Sequence, residues 1–168
     1  MLKTIAIIIV CIIVIGIMFY SLMTKMQNDN SVHPSTMSPL PTAIVDIDGS
    51  RNIAVELATT DASREQGLSD RASLADDRGM LFIFPTAVIQ QFWMNRMHFP
   101  LDIIFIKDGV VVDIAPNLPA PKVGQFPAVV RSKIEADQVL EINAGKAAEW
   151  GIRDGSIVKI MNSAASAN

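Results

Sequence analysis

A single acid interrupts one of the most apolar stretches of this chain. Residues 79–106 read GMLFIFPTAVIQQFWMNRMHFPLDIIFI, and Asp102 stands near the end among Leu, Ile and Phe. Apolar runs bounded by Pro and Gly describe core strands. An isolated carboxylate buried in such a core is costly, so Asp102 demands a partner. The fold must therefore bury this stretch and still satisfy its acid.

A second apolar run lies at the N-terminus. Lys3 is followed by TIAIIIVCIIVIGIMFYSLMT (Thr4–Thr24), with no charged residue before Lys25. About 20 apolar residues suffice for a helix to cross roughly 30 Å of hydrocarbon while closing its own backbone hydrogen bonds. Residues 1–24 are thus expected to form an uncleaved signal-anchor. Secretion after signal cleavage is the alternative. A cleaved signal has an apolar core of about 7–15 residues ending in small residues, and Ser21-Leu22-Met23-Thr24 offers no such site. Lys3 and Lys25 flank the run, so the positive-inside bias is slight. With only three residues ahead of the run, the N-terminus is expected in the cytoplasm. Residues 25–168 would then be extracytoplasmic, in the periplasm or outside the cell.

Beyond the run, composition excludes several classes. Cys11 is the only cysteine, so the rest of the chain can hold no disulfide, cysteine metal site or cysteine nucleophile. Lys3, Lys25 and Asp29 are the only charged side chains ahead of residue 40. Residues 40–168 therefore keep 12 basic against 16 acidic side chains, a net charge of −4. That is the opposite of a nucleic-acid footprint. The two histidines, His33 and His98, fall far short of the three or four ligands of a zinc site. Neither metal nor cofactor is expected. No G-x-S-x-G and no phosphate-cradling glycine loop occurs.

Gln27–Thr42 is rich in Ser, Pro and Asn and cannot bury enough apolar surface to fold. The chain divides into an anchor (1–24), a flexible linker (25–42), a β-rich domain (43–162) and a disordered tail (163–168). In the domain, 43–49 and 52–58 alternate as a hairpin would. Thr59-Thr60-Asp61 offers N-caps for a helix over DASREQGLSDRASL, which Gly67 interrupts. Strands are expected at 80–84, 87–94, 100–106, 110–115, 136–144 and 156–161, with a four-proline loop at 116–131 and a helical turn at 145–150. The run at 100–106 is apolar on both faces, as a central strand would be. The expected class is mainly β with small helices (α+β), a compact antiparallel β-barrel or sandwich-like domain behind a transmembrane helix.

Five residues are candidates for a ligand site: Arg64, Arg71, Trp93, Met94 and Asp102. Asp102 reads either as a carboxylate poised in a pocket, as a ligand anchor or acid/base group, or as a structural salt bridge or turn cap, with Arg64, Arg71 or Arg96 as candidate partners. Arg64 and Arg71 stand seven apart and would share a helix face, where two guanidiniums could hold an anion or simply be solvated. Trp93 could stack on a sugar or cover the core. Glu141 keeps mostly polar company on its strand face and reads as a solvated or rim residue.

Several of these segments together resemble the DUF192 family (also UPF0127). They are Arg64 with Gly67-Leu68 and Arg71, then Leu74, Gly79-Met80-Leu81-Phe82, Phe92-Trp93-Met94, Pro100-Leu101-Asp102-Ile103-Ile104-Phe105, Val139-Leu140-Glu141 with Ala144-Gly145, and Gly151-Ile152 with Asp154-Gly155. The likeness covers about 45–161. The chain departs from the family pattern at Ser69-Asp70 and at Asn95-Arg96-Met97, where the family usually carries Met with a polar residue and Lys-Asn-Thr. The resemblance implies a fold, a pocket and frequent export, but no activity. Three functions follow as expectations. The first is a membrane-anchored domain binding a small ligand or envelope component. The second is an enzyme acting on envelope polymers through Asp102 and a second carboxylate. The third is an assembly module meeting a protein partner through loop 116–131.

Overall fold

The computed structural model describes residues 39–161. The expected anchor at 4–24, the linker up to residue 38 and the tail at 163–168 lie outside the described residues. Among the described residues no helix is long and apolar enough to cross a membrane. The described chain is mainly β. Its strands are β1 (Thr42–Ile47), β2 (Arg51–Ala58), β3 (Arg78–Val88), β4 (Gln91–Trp93), β5 (Leu101–Lys107), β6 (Val110–Leu118), β7 (Val129–Arg131), β8 (Ala136–Asn143) and β9 (Val158–Met161). Two short helices join them, α1 (Asp61–Gln66) and α2 (Lys146–Glu149).

Seven strands form one sheet in the order β6-β5-β8-β3-β2-β1-β9, and β4 pairs with β7 separately. The large sheet curls into a half-barrel until its two edge strands touch. Val110 bridges to Ile157, and Val158 N–H donates to the Gly109 carbonyl at 2.8 Å. Most neighbours are antiparallel, as expected, but β2 and β3 run parallel. Parallel neighbours need a crossover, and residues 59–77, carrying α1, supply it. Lys107 pairs with Val110 around Asp108-Gly109, whose φ values are 50° and 76°. Two positive φ values in a two-residue loop make the hairpin turn that matches strand twist.

Alternation along each strand separates two apolar clusters, one on each face of the sheet. Leu81, Ile104, Ile106, Leu140 and Ile142 join the cluster that Ala147 and Ile152 cover. Met80, Phe82, Ile103, Phe105 and Val139 join the other, under Leu68, Met94 and Met97. Strand β5 lies between β6 and β8 and contributes to both clusters, which is why it reads as an unbroken apolar run.

Two elements differ from expectation. Helix α1 stops after Gln66 rather than continuing to Leu74. A Thr60–Ser63 capping box starts it, and Gly67 ends it at φ 51° with its N–H on the Ser63 carbonyl. The segment 87–94 is two strands, not one. Gln90, buried between them, donates from Nε2 to the Ala136 carbonyl at 2.9 Å, and its N–H donates to Ser132 Oγ. The chain thereby leaves the large sheet after Val88 and enters the β4–β7 ribbon.

Strand β3 approaches β8 so closely at Gly79 that a Cβ there would stand 2.8 Å from the Glu141 carbonyl oxygen and 3.1 Å from Ile142 Cγ2. Gly79→Ala is expected to cost about 2 kcal/mol of stability, typical of overpacking a core. Urea unfolding measures it, and a loss within experimental error would contradict this packing.

Candidate functional site

Asp102 closes the fold on one face of the sheet. The β5–β6 register slips between Leu101 and Ile103, so β6 has an extra residue opposite Asp102. Such a bulge frees a backbone N–H from the ladder. The Asp102 carboxylate collects it, accepting from Asn117 N–H at 2.8 Å through Oδ1. Its Oδ2 accepts from Ala147 N–H at 2.8 Å, in the first turn of α2. The N-cap of α2 is Gly145, which has no side chain to cap with, so an acid from a distant strand does that work. Asp102 is 0% exposed. Its partners are backbone amides, so of the alternatives open from the sequence the cap holds and the arginine ion pair does not.

The arginines are engaged elsewhere. Arg64 Nη1 donates to the carbonyls of Thr59 and Ile83, and Nη2 pairs with Asp61 at 2.5 Å, tying α1 to β3. Arg71 lies beyond α1, so the two do not share a helix face. It makes a two-pronged ion pair with Glu56 at 2.5 and 2.7 Å. That bond holds the Glu56 carboxyl below its ordinary range. Trp93 and Met94 point to opposite sides, as their alternation implies: Trp93 is 56% exposed and Met94 1%.

A shallow cleft with about 30 Å³ of enclosed space lies on the face opposite Asp102. The end of α1 and the Gly67-Leu68-Ser69 turn form one wall, and Phe92 and Trp93 of β4 form the other. Phe82, Met97 and Glu141 also line it. Phe92 meets Phe82 edge-on with ring centres 5.0 Å apart and Phe105 at 6.2 Å, so the β4 wall rests on a rigid aromatic base. Of the five candidates, Arg64 and Trp93 line this cleft. Met94 sits beneath it in the core, and Asp102 lies across the sheet.

Glu141 is the residue the sequence reading missed. It is 6% exposed, not a rim residue. Its cross-strand neighbours are Met80 on β3 and Ile103 on β5, and Met80 in turn faces Glu56 on β2. Cross-strand partners share a sheet face, so Glu56, Met80, Glu141 and Ile103 form a row. Arg71 is spent on Glu56 at one end of it. Glu141 is left with no hydrogen-bond partner among the described residues. Burial pushes its carboxyl up to about 8, and the charge of Arg71 offsets only part of that. At neutral pH the group is largely a neutral acid, which can both donate and accept a hydrogen bond. The one legible hint was its place in β8, whose neighbours Val139, Leu140 and Ile142 are all apolar.

The two departures from the family pattern meet at the cleft wall. Ser69 Oγ donates to the Asn95 carbonyl at 3.0 Å, and Asp70 N–H donates to the Arg96 carbonyl at 2.9 Å. Arg96 Nε returns a bond to the Asp70 carboxylate at 2.9 Å. Asp70 and Arg96 have φ values of 66° and 53°, so each turn is bent to face the other.

Two outcomes follow. Asp102→Asn puts an amide donor against a backbone donor, and the loss is expected to be about 2–3 kcal/mol in urea unfolding; an unchanged midpoint would remove Asp102 from its clamp role. Glu141 ionises near 4.5 in an unfolded chain and near 8 in the fold. The folded state holds the extra proton between those values, so stability falls as pH rises through that window. Glu141→Gln should match the parent below about pH 4.5. It should exceed the parent by on the order of a few kcal/mol above about pH 8. A pH-independent difference would refute the buried acid.

Comparison with known proteins agrees with the architecture. The family model DUF192, described as an uncharacterized ACR, matches residues 43–160. A second model, built on a chordopoxvirus protein, matches residues 1–45, too short a span to place the chain with it. A Sinorhizobium meliloti 1021 crystal structure, described as a "putative transcription regulator", is 32% identical with TM-score 0.66. That match covers 73% of this chain and 96% of that one. A Novosphingobium aromaticivorans protein of unknown function is 34% identical with TM-score 0.65, the match covering 77% and 91%. No curated protein matches the chain. With its resembling motifs laid out along this sheet and most of its length matched, the chain belongs to the DUF192 family.

Proposed function

We propose that the protein is a membrane-anchored extracytoplasmic domain that binds a small, neutral, hydroxyl-rich ligand in the cleft above Glu141, a saccharide unit of the cell envelope being the chemistry that fits best. The observation that carries this reading is Glu141 itself. Glu141 is 6% exposed, lines the cleft and makes no hydrogen bond among the described residues, so its carboxyl is free to meet a ligand that reaches it. As a neutral acid it can give one hydrogen bond to a hydroxyl and take one back. Trp93, half-exposed at the mouth, supplies a flat apolar face of the kind sugar rings stack on. The enclosed part of the cleft is only about 30 Å³, far below the roughly 300–1,000 Å³ of ligand pockets, so a sugar ring would rest on its mouth against Trp93 rather than fill it. Anchoring rests on the uncharged run Thr4–Thr24 and on its match to what a membrane-crossing helix requires.

A second reading is hydrolysis. Glycosidases pair a raised acid with a second carboxylate, and Glu65 lines the same cleft as Glu141. Asp102 is a poor choice for that role, because both of its oxygens hold backbone amides on the other face. A nucleic-acid partner is disfavoured by the net charge of −4 over residues 40–168.

Titration of the full chain in detergent with neutral envelope saccharides, followed by tryptophan fluorescence, tests both readings. Binding should weaken at least tenfold in Trp93→Ala and in Glu141→Leu, with the Trp93→Ala melting temperature unchanged. Cleavage of the saccharide, lost in Glu141→Gln, would promote the second reading. Failure of every neutral saccharide to bind would sink the proposal.

A further inference from the structure

Loop 119–128 presents apolar side chains that nothing among the described residues covers. Phe126 is 98% exposed and Val123 entirely so. They are held out by an ordered turn: Gln125 N–H donates to the Lys122 carbonyl at 2.9 Å, with Gly124 at φ 80°. That places Val123 at the apex. Ala120, Ala128 and Val130, at the base, pack against the apolar cluster under the cleft, so the loop is rooted. Val129 and Trp93, paired across the β4–β7 ribbon, extend the apolar surface, each more than half exposed.

Charge points the same way. Residues 114–134 contain Lys122, Arg131 and Lys133 and not one acid, in a domain whose net charge is −4. Arg131 is bonded to Gln91 and Lys133 to Asp113, which leaves Lys122 beside the apex to meet an anion. Apolar residues at a tip with cations behind them are the pattern of a segment that enters the headgroup region of an anionic bilayer.

The length of the tether brings that surface within reach. Residues 25–38 separate Thr24 from Pro39. Fourteen residues can reach at most roughly 50 Å. Leu40, where the chain enters the domain, packs on the same cluster as Ala128 and Val130. The tether therefore joins the domain on the sheet face that carries the loop. Held that close, a weak insertion suffices, because tethering supplies a high effective concentration.

We infer that the Val123–Phe126 turn inserts into the anionic membrane surface to which the chain is tethered, setting the domain, and with it the Trp93 mouth of the cleft, against the bilayer. This rests on the anchoring part of the proposed function and not on its ligand. The occupant is lipid, not a second copy or a protein.

The test uses the full chain with Cys11→Ala, reconstituted in vesicles of phosphatidylethanolamine and phosphatidylglycerol at about 7:3, an anionic surface. An environment-sensitive dye is placed at Val123→Cys or, for comparison, at Ser50→Cys, an exposed turn position. The dye at 123 should brighten several-fold over its value in detergent. It should be quenched by shallow spin-labelled lipid and shielded from iodide, while the dye at 50 stays open to iodide. Phe126→Asp should abolish the shielding without moving the melting temperature, since that side chain touches solvent only. Replacing phosphatidylglycerol with phosphatidylcholine should weaken it. A chain retained by the vesicles with a water-exposed dye at 123 overturns the insertion alone. Release of the chain from the vesicles overturns the anchor and the insertion together. Shielding seen only when copies are crowded, or only in native membranes and not in pure lipid, overturns it in favour of self-association or a protein partner.

Discussion

The structure depends on how one carboxylate is satisfied. Asp102 is the second residue of a doubly buried strand and accepts backbone N–H groups from residues 15 and 45 positions away. These bonds tie the bulge of β6 and the start of α2 to β5 at one point. Left unpaired at such depth the charge would cost several kcal/mol, and each orphaned amide would add to that. Because both amides belong to the backbone, the clamp asks nothing of neighbouring side chains except that they let the chain pass. A guanidinium partner would have demanded a matching residue and more room.

How much could be read from the sequence varied with how local the cause was. The hairpin at Asp108-Gly109 and the central place of β5 follow from turn chemistry and from apolar residues on both faces, and the chain fold agrees. Arg64 and Arg71 were misjudged because their spacing assumes a continuous helix, and Gly67 ends it between them. Glu141 was misjudged for a different reason. Its own strand face carries Asp137 and Asn143, but burial is decided by Met80 and Ile103 on the strands alongside. No periodicity along β8 reveals what stands next to it.

The two acids show how one sheet divides labour between its faces. On the face with Asp102 the polar group is fully bonded, and the chain is closed around it. On the other face Glu141 has been brought to the floor of a cleft with its bonding capacity unspent. The ion pair of Arg71 with Glu56 keeps a cation nearby without delivering it, and burial keeps the acid protonated. The bonded acid and the unbonded one thus lie on opposite sides of β5 and β8.

The meeting of the Ser69-Asp70 and Asn95-Arg96 turns carries a consequence for how such a domain diversifies. These turns bond to each other across the cleft wall rather than to the strands beneath. A change in one falls first on the other and on Gln66 of α1, which accepts from Arg96 Nη2. The wall behaves as a replaceable lip on a fixed vessel. Two short segments joined in this way are expected to change in step.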